Sequence, residues 1–111
     1  MTIERKYPEN MSNETVYDLL TAPTSRKLNE AYGVRIAPAA IVVYISDSET
    51  RCVAIQDQSG EIFRSSGSAA IREICNGMDI LGEAFKDRFI VPVKRTSKQG
   101  RDYCSAVLEK A

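Results

Sequence analysis

The sequence predicts a mainly β protein with helices: a five-stranded OB-like Greek-key barrel, β-β-β-α-β-β, preceded by a short N-terminal helical segment. Three observations predict it. Ala39–Ile45 is β-branched and apolar, and two shorter strand-like segments follow it across polar turns. Ile71, Ile74, Cys75, Met78 and Leu81 then recur at helical spacing. Finally, two apolar runs, Phe89–Val93 and Tyr103–Leu108, flank a basic loop containing a glycine. Three meandering strands, one helix and a closing hairpin is the order of an OB barrel. A helix packed on an open antiparallel sheet has the same order.

Residues 1–12 are polar and are expected to form a flexible tail, with residues 13–111 forming a single domain. Val16, Leu19 and Leu20 fall at i, i+3 and i+4 and predict a helix over Glu14–Leu20. Pro23 ends it, because the residue before proline avoids helical geometry. A second helix is expected through Ser25–Tyr32, with Leu28, Ala31 and Tyr32 as its stripe and Gly33 as its stop. Ala39–Ile45 is apolar on both faces, so both must be covered. The N-terminal helices are one cover and a second copy of the chain is the other, and a homodimer is the preferred reading. Ser46–Thr50 and Asp57–Gly60 are turns around the strand Arg51–Gln56. Glu61–Ser65 is a short third strand. Taking Ile62 as core sends Phe63 outward. Ser68 is the expected N-cap of the main helix and Gly82 its end. Gly77 weakens that helix by about 1 kcal/mol relative to alanine.

Composition narrows the function. The 111 residues carry 15 basic and 15 acidic side chains and no histidine or tryptophan. Without histidine, the commonest general base and metal ligand are missing, so a binding protein is expected rather than an enzyme, with no cofactor. Cys52, Cys75 and Cys104 are widely spaced with no CxxC, and read as buried free thiols. The longest apolar run, Ala37–Ile45, falls far short of the roughly 20 residues that span a bilayer. The first residues lack the apolar core of a signal peptide, so a cytoplasmic chain is expected.

Charge is unevenly placed. From Lys86 to Asp102 there are six Lys or Arg against two Asp or Glu, so the rest of this neutral chain is acidic. Lys94, Arg95, Lys98 and Arg101 surround the hairpin loop and make a patch that attracts polyanions. Non-specific single-strand binding combines such a patch with aromatic platforms for bases. Tyr103 lies two residues beyond Arg101 and would share its face of the strand. Phe63, with Arg64 beside it, lies on the third strand, in the usual OB binding area. Core packing is the alternative for both rings, and Tyr44 reads as core. A basic tip can also be a solvated edge that deters aggregation. Ser65–Ser68 at a helix start reads as a cap rather than a phosphate loop.

Two segments, Val16-Tyr-Asp-Leu-Leu-Thr-Ala-Pro-Thr-Ser-Arg-Lys-Leu-Asn29 and Val93-Lys-Arg-Thr-Ser-Lys-Gln-Gly-Arg-Asp-Tyr103, resemble the small single-stranded DNA-binding proteins of bacteriophages and mobile elements. The resemblance covers roughly residues 14–108. It implies a helical lead-in, an OB-like sheet, a basic closing hairpin, and work in replication or recombination in the host cytoplasm. Asp47 and Glu49 depart from it, since acids beside an OB groove repel phosphate.

The leading expectation is sequence-independent binding of single-stranded DNA, with RNA as a related ligand and no membrane partner. The alternative is a protein-interaction module, a viral adaptor or inhibitor, which zero net charge favours. A small nuclease ranks third.

Overall fold

A computed structural model describes residues 1–111. The chain is mainly β, with elements β1 (Thr2–Tyr7), α1 (Asn13–Thr21), β2 (Arg26–Lys27), a 3-10 turn (Leu28–Glu30), β3 (Pro38–Ile45), β4 (Arg51–Asp57), β5 (Ile62–Ser65), α2 (Ser68–Leu81), a second 3-10 segment (Gly82–Asp87), β6 (Arg88–Thr96) and β7 (Asp102–Lys110). One sheet has the order β1-β3-β4-β5-β2, and β6 and β7 form a separate two-stranded ribbon. The expected order of three strands, helix and hairpin is present, but the strands do not close into a barrel. One isolated bridge, Ile36 to Ile90, with mutual backbone hydrogen bonds of 2.8 and 2.9 Å, ties the ribbon to the segment just before β3. At the far edge β5 pairs with β2, not with β7.

The N-terminus is not the loose tail expected from its polarity. Thr2–Tyr7 pairs antiparallel with β3. Its charged residues suit a solvated sheet edge. Glu4 pairs with Arg51 at 2.7 Å and Arg5 with Asp79 at 2.9 Å, while Tyr7 packs edge-to-face on Phe85 at 4.9 Å. Backbone pairing supplies what the missing hydrophobic alternation did not announce.

The helix expected over Ser25–Tyr32 is also absent. Arg26 and Lys27 instead pair in parallel with Phe63 and Arg64, and only Leu28–Glu30 is helical, as a 3-10 turn. Leu28 and Ala31 are both buried. Their three-residue spacing suits a 3-10 turn as well as an α-helix. By contrast α1 forms as its stripe predicts, capped by Ser12, whose Oγ accepts from Thr15 N–H at 3.1 Å.

Two hydrophobic clusters fill the two faces of the larger sheet. Ile41, Val43, Val53, Ile55 and Phe63 join α2 and the ribbon in the main core. Ala40, Val42, Tyr44 and Ala54 face the other way and meet Met11, Val16 and Leu19. The outer face of β3 is therefore covered by α1 within the chain, and its apolar character gives no reason for a second copy.

Helix α2 runs from its N-cap Gly67 to Gly82, whose φ of 53° ends it. Ser68, the expected cap, is the first helical residue, and the nearby serine bond comes from Ser65, whose Oγ accepts from Gly67 N–H at 2.9 Å. Gly77 has a packing role that helix propensity conceals. A Cβ there would overlap the Leu108 Cδ1 methyl and lie 3.2 Å from Leu108 Cγ and 3.7 Å from Phe85 Cε1. The bare backbone lets α2 lie close against β7. Alanine at this position gains about 1 kcal/mol of helix propensity, but overpacking costs about 1–3 kcal/mol. Gly77→Ala is thus expected to lower stability in urea denaturation, and adding Leu108→Ala should cost less than the two single changes summed. Additive costs would show that the packing at this point is not strained.

Candidate nucleic-acid interface

The ribbon is anchored at one end and exposed at the other. Ile90 and Ala106 are register partners of Leu108 and Pro92, and this end lies in the main core. Toward the tip the pairs become Lys94 with Cys104, Arg95 with Tyr103 and Thr96 with Asp102. The turn is held by Ser97. Its N–H donates to Arg101 C=O at 2.8 Å, its carbonyl accepts from Gly100 N–H at 2.9 Å, and its Oγ accepts from Arg101 N–H at 3.1 Å. Gly100 has a φ of 80°, in the left-handed region that favours glycine.

The four predicted cations do not behave alike. Lys94 pairs with Asp102 at 3.2 Å. Asp102 also accepts from Thr96 Oγ1 at 2.9 Å. The Thr96 hydroxyl, and then Lys94, hold its carboxyl below the ordinary carboxylate range. Lys94 is therefore compensated at the base of the tip. Arg95, Lys98 and Arg101 are exposed and form no ion pair.

Tyr103 is 39% exposed. Its cross-strand partner is Arg95. Paired residues share a face, so Arg95 rather than Arg101 stands beside the ring. Arg101 precedes β7 and belongs to the turn. The opposite face of the ribbon has an aromatic that the sequence assigns to a helix stripe rather than to the site. Tyr32, 40% exposed, sits beside Cys104 and Lys94. Partial desolvation and the neighbouring thiol push its hydroxyl pKa up. Burial likewise pushes up the Cys104 thiol. The spacing of Tyr32 places it in a helix stripe, and only the fold brings it to the ribbon.

The other predicted site residues lie elsewhere. Phe63 is fully buried, not outward. Its register partner is Ile55, so both point into the main core, while Ile62 packs against the smaller cluster. Both faces of this sheet are covered, so alternation could not say which was inner. Arg64 is half-buried. It donates to the Leu19 carbonyl at 2.8 Å and to the Tyr44 hydroxyl at 3.4 Å, tying α1 to the sheet, and it has no carboxylate partner. Tyr44 is buried, as expected. The outer sheet face on which an OB groove would lie is covered by α1. Asp47, expected to repel phosphate, is paired with the Met1 ammonium at 2.7 Å, which lowers its pKa.

No helix is long and apolar enough to cross a membrane, and no cluster of three or more His, Cys, Asp or Glu is placed to hold a metal ion. No family model matches the chain, and no curated protein or solved structure is significantly similar to it.

Because Phe63 is core, Phe63→Leu is expected to lower the unfolding free energy by about 1–3 kcal/mol. Any ligand affinity of the folded protein should stay unchanged. A melting curve beside a binding titration separates these effects. Weaker binding at unchanged stability would return Phe63 to the interface.

Proposed function

We propose that the protein binds single-stranded nucleic acid without sequence preference, through the tip of the β6–β7 ribbon. The observation that carries this reading is the group of three exposed, unpaired cations, Arg95, Lys98 and Arg101, beside the exposed ring of Tyr103. Cations hold the backbone and release counterions, while an aromatic ring stacks on any base. A stiff turn supports this by keeping the charges in place before the ligand arrives. Single-stranded DNA is the proposed ligand, and RNA would meet the same side chains. The setting implied by the sequence resemblance is replication or recombination of a phage or mobile element. Net neutrality favours the second reading, a protein-interaction module, since strong nucleic-acid binders tend to be basic.

Fluorescence anisotropy of a labelled oligo-dT at low and physiological salt tests the reading. Binding should weaken as salt rises. In Lys98→Glu/Arg101→Glu it should be much weaker, with a salt slope shallower by about 0.7 for each phosphate no longer neutralised. Tyr103→Ala should cost about 1–3 kcal/mol of affinity with little change in melting temperature. No binding even at low salt would select the protein-interaction module.

The Lys94–Asp102 pair gives a test of opposite sign. Asp102→Asn removes the carboxylate and leaves Lys94 uncompensated. This variant should bind oligo-dT more tightly than the parent, with a steeper salt slope. Equal or weaker binding by a folded variant would place Lys94 off the path.

A further inference from the structure

We propose that the cleft beside the ribbon base seats one nucleotide of the bound strand, with Lys27 and Arg64 on its phosphate. This rests on the single-strand reading and extends it from the ribbon tip to a defined subsite. The cleft has a volume of about 500 Å³, within the range of about 300–1,000 Å³ usual for small-ligand sites. Tyr44 and Cys52 from β3 and β4, Arg64 from β5, Lys27 and Asn29, and Cys104 from β7 contribute to its walls.

Charge is the first argument. The cleft is lined by two cations and no carboxylate. Neither Lys27 nor Arg64 forms an ion pair. Burying a charge is costly unless an opposite charge accompanies it. The carbonyl and hydroxyl that Arg64 meets take two of its five donors and leave its charge uncompensated. A phosphate would compensate it. The contrast lies along β1, where a larger cleft mixes Glu4, Glu9 and Glu83 with Arg5, Lys6 and Lys86. Charges of both signs there offer a polyanion no net attraction.

Continuity is the second argument. Cys104 lines the cleft and is the register partner of Lys94, with Tyr32 beside it. From Arg101 at the turn to Cys104 is three residues, about 10 Å along an extended strand. A strand of a few nucleotides that holds the turn cations is long enough to reach the cleft along the Lys94–Cys104 face, where Tyr32 stands, opposite the face of Arg95 and Tyr103. Exposed Asn29 offers both a donor and an acceptor to a base edge there.

The cleft contains its own reporter. Cys52 lies on β4, outside the ribbon, and is half-buried, whereas Cys75 is in the main core. Shielding of Cys52 therefore reports cleft occupancy rather than contact with the tip. The experiment follows iodoacetamide alkylation of Cys52 in the full chain by mass spectrometry, with and without oligo-dT, while anisotropy monitors binding in the same samples. Saturating oligo-dT should slow Cys52 alkylation several-fold. Lys27→Gln, an exposed change that removes the charge, should reduce that shielding and make the salt slope shallower by about 0.7. Oligo-dT that binds while Cys52 reacts at its free rate overturns the cleft proposal and leaves the ribbon reading standing. Oligo-dT that does not bind overturns both.

Discussion

The double burial of β3 is the constraint on which the rest of the structure depends. Ile41 and Val43 face one cluster while Ala40, Val42 and Tyr44 face the other, and all five are buried. A strand of this kind is stable only between two covers, because exposed apolar area on either side would be returned to water. Helix α2 and the ribbon supply one cover and α1 supplies the other. The first cover makes the main core. The second covers the apolar outer face of β3 and β4.

The ribbon gains its position from that core. Ile90 and Ala106 fix its base, and Gly77 lets α2 press on Leu108. Beyond Val93 the last residues of β6 are exposed, and the strands carry charge into solvent. Rigidity at the tip comes from the register and from the Ser97 hydrogen bonds. Buried anchorage and a bonded turn together hold cations in a defined place without a core beneath them.

Pairing, not net charge, gives the surface its electrostatic character. Elsewhere most arginines meet acids: Arg5 with Asp79, Arg35 with Glu109, Arg51 with Glu4. Such exposed pairs contribute little stability, but they cancel charge locally. Arg95, Lys98 and Arg101 are left uncancelled at the tip, as are Lys27 and Arg64 at the cleft. A neutral chain thereby keeps two adjoining positive regions.

The sequence by itself determined what depends on local pattern. The period of Ile71, Ile74, Cys75 and Met78 specifies α2 with one buried stripe. The β-branched run before Ile45 specifies a strand covered on both sides, and Gly100 among lysines and arginines marks the ribbon turn. Only the tertiary structure decided what depends on a partner distant in the chain. Thr2–Tyr7 is a strand because β3 offers it an edge, and Arg26–Lys27 because β5 does. Phe63 turns inward because its register partner Ile55 does, a phase that alternation leaves open when both faces are apolar. Tyr32 comes near Cys104 and Lys94 across more than sixty positions of sequence, and the cleft joins residues from five separate strands. Backbone hydrogen bonding and cross-strand contact carry no sequence period of their own, so these features become visible only when the chain is folded.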